Sequence, residues 1–355
     1  MIIKLFTYYY TNNYGALLQS LCLKSIIEEN FNSRVEYNSY QQKDLIFKET
    51  YRPLITKYPS KFFKTISKNI KLSLWKKKTN LQKPTFKEKK IEKDESICIY
   101  GSDEIWNFKN AYYKFDLFFF GKNNKNIKIS YAPSIGIAKY ENLDENKKRL
   151  IKEELVKFKS ISVRDSITFD FVKKITGIKP QIVVDPTLLC TPKILLETNS
   201  TKIPETEYAL VYGTIFSTDQ KKKIKKYCKD KNIILVSVGY YENWTDKNLI
   251  NVNPIDFFQL FQKSQIVFTS MFHGIMFSVK LRKNFWYSED PIRKNKISHF
   301  INELDLNYRC INKDKDFSEV IDYYKIYKKL DVWVQKSKEF LINSINQCLN
   351  DQKKN

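Results

Sequence analysis

The run Ile266-Val267-Phe268-Thr269-Ser270-Met271-Phe272-His273-Gly274-Ile275-Met276-Phe277-Ser278 decides how the rest of the chain is read. Three apolar residues with strand character give way to small polar ones, and the chain then turns into a helical pattern. Such a strand-to-helix turn sets backbone N–H groups and the positive end of a helix dipole beside one imidazole. That equipment suits holding an anion while moving a proton. His273 is one of two histidines among 355 residues. The same letters also describe an N-cap at Ser270 next to a buried, hydrogen-bonded histidine.

Working outward, the same alternation recurs. Ile2 to Tyr9 reads as a strand, followed by a helix through Leu17, Leu21, Ile26 and Ile27. Short strands are expected at Ile97 to Tyr100, Ile127 to Ala132 and Ile161 to Asp165, with helices at Glu145 to Phe158 and around Phe169 to Ile175. Ile182-Val183-Val184-Asp185-Pro186 closes this half, Asp185-Pro186 reading as a structural turn. A second series begins at Tyr208 to Tyr212, continues through a lysine-rich helix at Gln220 to Asp230 and a strand at Ile233 to Val238, and ends in the His273 unit. Strands separated by helices at this spacing imply parallel sheets covered on both faces.

We therefore expect an α/β protein of two halves with a central cleft. The first spans 1–195, the second 205–316, and a polar connector with Pro204 lies between them. The stretch 317–355 reads as a helical tail carrying Tyr323, Tyr327, Leu330, Trp333 and Phe340, expected to pack back over one half. The cluster Phe115 to Phe120 reads as a buried strand.

Composition agrees with a folded chain: 42% of residues are hydrophobic and 15% aromatic, which disfavours disorder. Lys+Arg number 62 against 39 Asp+Glu, a formal charge of +23 that favours anionic partners. No zinc-finger, RRM or KH signature accompanies the charge, so nucleic acid is not an expected partner. The six cysteines are scattered without a CxxC pair, so neither a metal centre nor a disulfide framework is expected. The chain opens straight into a strand, without signal-peptide architecture, and no uncharged apolar run reaches about 18 residues. The expected location is cytoplasmic, at most peripheral to the inner face of the plasma membrane.

Several islands fall where a strand runs out at its carboxyl end, the edge at which open parallel sheets collect ligands. They are Thr11-Asn12-Asn13-Tyr14-Gly15, Gly101-Ser102-Asp103-Glu104-Ile105-Trp106-Asn107, Tyr131-Ala132-Pro133-Ser134-Ile135-Gly136, Ser162-Val163-Arg164-Asp165 and the His273 unit. Four of the eight glycines (Gly15, Gly101, Gly136, Gly274) lie in them.

These blocks, with Val184-Asp185-Pro186-Thr187-Leu188-Leu189, resemble the polysaccharide pyruvyltransferase family in content and order over most of the chain. Gly101 to Asn107 is similar to the family's GSDxxWN signature, with Glu104 where glutamine is common. The residues before Phe272 are commonly Asp-Ser, whereas this chain has Ser270-Met271, so an acidic group that tunes the histidine is missing from that place. The resemblance implies a glycosyltransferase-B-like pair of Rossmann-type domains. It also implies transfer of the pyruvyl group of phosphoenolpyruvate onto two hydroxyls of one sugar, with a cyclic ketal formed and phosphate released. It ties the positions of Arg164 and His273 to donor binding and catalysis.

The residues read on their own suit that chemistry. A donor with a carboxylate and a phosphate calls for a planar cationic fork, which Arg164 supplies, with Lys280 and Arg282 in reserve. A salt bridge from Arg164 to Asp165 or another acid is the bland alternative. The Gly274 and Ile275 N–H groups are candidates for the phosphate. His273 is the expected general acid toward the donor's methylene carbon, and His299 is expected to be structural. Asp103 fits activation of an acceptor hydroxyl or orientation of His273, and equally an N-cap of the helix carrying Trp106. Asn13, Tyr14 and Trp106 are the candidate acceptor contacts, the rings offering flat faces to a sugar. No metal and no cofactor beyond phosphoenolpyruvate as co-substrate is expected.

From Lys61 to Lys93 there are twelve lysines against two glutamates, with Phe62, Ile66, Ile70 and Leu74 four apart. This segment reads as a basic amphipathic helix, suited to an anionic membrane surface and a lipid-linked oligosaccharide acceptor, or to covering the first half. The competing function is a glycosyltransferase that uses a nucleotide sugar, although no DxD metal motif is evident. A non-catalytic assembly scaffold and a nucleic-acid module rank lower.

Overall fold

The strands form two separate sheets, each wholly parallel, in the computed structural model. It describes residues 2–86, 91, 94–110, 115–196, 202–289, 294–311 and 315–354, without the side chains of 294–296 and 354.

The first half runs β1 (Ile2–Phe6), α1 (Tyr14–Asn30), β2 (Arg34–Tyr37), α2 (Lys43–Thr50), α3 (Pro59–Lys78), β3 (Ile97–Tyr100), β4 (Ile127–Ser130), α4 (Glu145–Leu155), β5 (Ser160–Val163), α5 (Ser166–Thr176) and β6 (Gln181–Ile182). Its strand order is β2-β1-β3-β4-β5-β6. The second half runs β7 (Tyr208–Tyr212), α6 (Thr218–Asp230), β8 (Ile234–Val238), β9 (Lys247–Leu249), α7 (Pro254–Lys263), β10 (Ile266–Thr269), α8 (Phe272–Lys280), β11 (Asn284–Tyr287) and α9 (Lys294–Glu303). Here the order is β11-β10-β7-β8-β9. The long α10 (Tyr323–Lys354) follows.

Central strands such as β3, β7 and β10 are buried along their whole length. Continuous apolar runs are what a parallel sheet covered on both faces requires. Helix starts are set locally. Asp165 caps α5 by accepting from Thr168 N, and Asn253 and Asp256 form a capping box around Pro254 at the start of α7. The result is the expected α/β pair of Rossmann-like halves.

One apolar core runs through both halves, joining Ile3, Leu17 and Ile99 to Leu210, Val267 and Ile275. The tail does more than cover one half. Tyr323 and Tyr327 donate to backbone carbonyls of α8, while Trp333 Nε1 donates to Ile182 O at 3.3 Å and Ser337 Oγ accepts from Val184 N at 3.0 Å. The segment at Phe115 to Phe120 is not a strand. Leu117–Phe120 is a single 3-10 turn, capped by Asp116 and ended by a left-handed Gly121, with Phe118, Phe119 and Phe120 buried.

Candidate active site

The carboxyl edges of β1, β3, β5 and β6 face that of β10, and the loops leaving them meet at one buried cluster. Asp185 is its centre. The side chain is wholly buried, and its Oδ1 accepts from Thr187 N at 3.0 Å and Thr187 Oγ1 at 2.7 Å. Its Oδ2 accepts from Arg164 Nη1 at 3.1 Å. His273 Nε2, from the other half, stands 3.7 Å from the same oxygen, within ion-pair range but beyond a hydrogen bond.

Arg164 leaves the end of β5 and is 3% exposed. One edge is held: Nη1 reaches Asp185 and, at 3.6 Å, Asp103 Oδ1. One face lies 4.4 Å over the ring of Phe272. The opposite edge, Nε with Nη2, is buried and has no hydrogen-bond partner, and His273 Nε2 is in the same condition. These two nitrogens form the side-on fork of a guanidinium, the geometry that grips a carboxylate or phosphate bidentately. Burial works against the charge of Arg164, but Asp103, Asp185, Asp165 and Glu104 outweigh it and hold its pKa above the ordinary arginine value. For Asp185 burial opposes ionisation as well. His273, Arg164 and Thr187 prevail, and the carboxyl sits well below the usual aspartate range.

Asp103 reaches this place through a strained backbone, with φ at +76°. Its carbonyl accepts from Ser134 N at 2.9 Å, and the preceding Ser102 is tied to Gln19 and Thr7. Gln19 Nε2 in turn donates to Thr7 Oγ1 at 3.0 Å, so the turn after β3 is built on the first turns of α1. No helix follows Asp103, so it is not an N-cap.

His273 lies in the first turn of α8 and packs against Gly15 in the first turn of α1. A Cβ added at Gly15 would fall 2.3 Å from His273 Nδ1, so only glycine lets the imidazole rest there. Gly274 is needed for a different contact, because its added Cβ would lie 2.0 Å from Thr269 Oγ1.

Several expected roles do not survive the geometry. The N–H groups of Gly274 and Ile275 both donate to Met271 O, at 3.0 and 3.3 Å, so they belong to the helix. The start of α8 nevertheless has no side-chain cap. Trp106 is fully buried, stacked on Phe120, with Nε1 donating to Phe119 O; it offers no face to a sugar. Tyr14 is likewise buried against Phe257, and its hydroxyl donates to Val252 O at 2.7 Å and Ile250 O at 3.2 Å, pinning the halves together. Asn13 remains partly exposed but uses its Oδ1 to cap α1 through Gly15 N. Lys280 and Arg282 sit about 10 Å from His273 along α8 or beyond it, Lys280 on Cys190 O and Arg282 against Tyr327. His299 sets its ring edge-on to Trp333.

Asp185, Gly15 and Phe272 are the parts that a reading of roles from the sequence overlooked. The acidic partner missing before Phe272 is supplied by Asp185 from the other half. A cavity of about 420 Å³ lined by His299, Glu303, Lys329 and Trp333 contains none of these groups. The open guanidinium edge and the imidazole, rather than volume, mark the site. Among the described residues no three His, Cys, Asp or Glu side chains are grouped to hold a metal, and no helix is long and apolar enough to cross a membrane.

A family model described as polysaccharide pyruvyl transferase matches residues 13–287. No curated protein sequence matches significantly. Among solved structures, the chain is similar to UDP-GlcNAc 2-epimerase from Methanocaldococcus jannaschii, at 12% identity and TM-score 0.48 over 98% of this chain and 99% of that one. It is also similar to UDP-GlcNAc 2-epimerase from Neisseria meningitidis, at 11% and 0.46 over 100% of both chains. For the E. coli heptosyltransferase WaaC with ADP the values are 11% and 0.38, over 83% and 90%. The family match takes in Gly15, Asp103, Arg164, Asp185 and His273, and by it this chain belongs to the polysaccharide pyruvyl transferase family and is a transferase.

Proposed function

We propose that this chain moves the pyruvyl group of phosphoenolpyruvate onto two hydroxyls of a hexose, in a cell-surface polysaccharide or its lipid-linked precursor. The observation that carries the reading is the open edge of Arg164 beside the unbonded Nε2 of His273, both gathered around Asp185.

In this reading the Nε–Nη2 fork takes one oxyanion of the donor. Asp185 and Asp103 already balance the other edge, so the second oxyanion needs a separate source of positive potential. The uncapped start of α8 supplies it. His273 gives a proton to the methylene carbon, leaving an oxocarbenium-like centre at the carbon that bears the phosphate. One sugar hydroxyl adds there and loses its proton. The second hydroxyl then displaces phosphate, with cleavage of the carbon–oxygen bond to the phosphate and loss of its own proton. The protons balance: two leave the hydroxyls, one is gained by the methyl group and one by the phosphate. Of the two carboxylates on Arg164 Nη1, Asp103 is the more exposed, at 11% against 0% for Asp185, and fits acceptance of a hydroxyl proton. Asp185 orients the imidazole. The reading requires no cofactor besides the co-substrate.

Since the cluster is nearly closed to water, the donor is admitted when the two halves separate, and His273 then approaches Arg164 on closure. The test is to incubate the protein with phosphoenolpyruvate and a panel of hexosides. Phosphate release, with an acceptor heavier by one pyruvate less one water, supports the reading. Release of nucleotide from a nucleotide sugar instead would make the chain a glycosyltransferase.

A further inference from the structure

Helix α3 turns an apolar face outward rather than onto the first half. Its inward face carries Thr65, Leu72, Trp75 and Lys76, while Phe63, Ile70 and Leu74 are 68%, 55% and 61% exposed. The inward lysines are engaged on polar atoms: Lys64 Nζ donates to Asn248 O at 3.1 Å, Lys68 Nζ to Gly239 O at 3.0 Å and Lys76 Nζ to Asn12 Oδ1 at 2.9 Å. Lysine stems thus join α3 to the second half and to the turn before α1, and the apolar side is left outside.

Residues 63, 70 and 74 share one helical face, and Lys71, Lys77 and Lys78 lie around it. Phe47, Tyr51 and Ile55, from α2 and the turn after it, are exposed as well, with Phe47 stacked on Tyr51 at 5.8 Å. Exposed apolar side chains gathered in this way mark an interaction surface.

We propose that the outward face of α2 and α3 docks on an anionic lipid bilayer. No carboxylate lies on α3, and of its seven lysines Lys61, Lys71, Lys77 and Lys78 are not drawn inward, so the charge left outside complements lipid phosphates. A second copy of this chain would bring the same cationic face and be repelled. Aromatic and branched side chains enter the headgroup boundary, while the flanking lysine stems lie along the apolar surface and keep their ammonium groups at the phosphates. Because Lys76 and Asn69 bond Asn12, the docked helix sets the turn that carries Asn13 and Gly15 close to the bilayer. The docking goes beyond the reaction proposed above and does not depend on it.

The test is flotation of the full chain with vesicles of phosphatidylcholine alone and of phosphatidylcholine with phosphatidylglycerol. Binding is expected on the second kind alone, weakening as salt is raised. The variant Phe63→Asp/Ile70→Asp/Leu74→Asp should bind about tenfold less with an unchanged melting temperature, and Lys71→Gln/Lys77→Gln/Lys78→Gln should also bind less. No flotation, equal flotation on neutral vesicles, or flotation unaffected by both variants overturns the proposal. So does a dimer that the apolar variant abolishes without any lipid binding. Phosphate release toward a soluble acceptor is read in parallel and should be the same in all three proteins, so failure of docking and failure of the chemistry are told apart.

Discussion

His273 Nε2 stands 3.7 Å from Asp185 Oδ2, and the two residues come from different halves of the molecule. The same oxygen accepts from Arg164 Nη1, so one buried carboxylate binds the guanidinium and stands beside the imidazole. Neither half contains the site alone. Any motion that parts the sheets also parts the imidazole from Asp185 and from the open edge of Arg164.

Replacing His273 with Ala removes the proposed proton donor and leaves Asp185 on Arg164. Phosphate release should fall by about 10²–10⁴-fold, with the melting temperature little changed. A variant that releases phosphate at near the normal rate would falsify the assignment.

Arg164→Lys keeps a positive charge and loses the side-on fork. Hydrogen bonds to a charged group are each worth about 1.5–3 kcal/mol, so KM for phosphoenolpyruvate should rise about 10- to 100-fold while the protein still folds. Arg164→Ala is a different perturbation, because it strands the buried carboxylates of Asp185 and Asp103. It should destabilise the fold by about 3–5 kcal/mol in chemical denaturation. Equal stability of the two variants would show that the ion-pair cluster does not depend on the guanidinium charge.

The two halves are legible because β7 and β10 are unbroken apolar runs ended by glycine or small polar residues. The edge strands β2 and β9 were missed because each is short and half polar. Arg164, Asp103 and His273 stand at strand ends, where a site residue is expected, and their convergence follows from the topology. Asp185 reads as a turn in the sequence because Asp-Pro after a strand has that meaning locally. Its partnership with His273 exists only across the interface of the halves. Trp106 and Tyr14 fail for a related reason, since an aromatic at a strand end has the same letters whether it faces a crevice or the core. Which way α3 turns its apolar side is not legible in the sequence, because periodicity does not record lysine stems that reach carbonyls of the other half.

Asp185 also controls a pH dependence. Folding favours its ionised form, since the folded carboxyl sits well below its ordinary value despite burial. The resulting stability is fully present above the unfolded value of about 3.9 and is lost as pH falls toward the lower folded value. Asp185→Asn removes this contribution. Thermal melting followed below about pH 4 should therefore decline more steeply for the native chain than for the variant. Parallel curves would mean that Asp185 is no more ionised in the folded chain than in the unfolded one.

Gly15→Ala tests the contact between the first turns of α1 and α8. The added methyl would lie 2.3 Å from His273 Nδ1. The backbone of α1 is held by the Asn13 cap and by the Tyr14 hydroxyl on Val252 and Ile250, so His273 is the part that moves. Alanine is the better helix former, and α1 itself should not be weakened. A displacement of about 1 Å is enough to lower turnover by about 10²-fold. The methyl would also lie 2.7 Å from His273 Cβ, which alanine retains, so if the loss acts through His273 it should vanish in the His273→Gly background, where neither ring nor Cβ remains. Measuring phosphate release in the two single variants and the double variant decides this. A further drop in the double variant would mean that Gly15 acts on something other than His273.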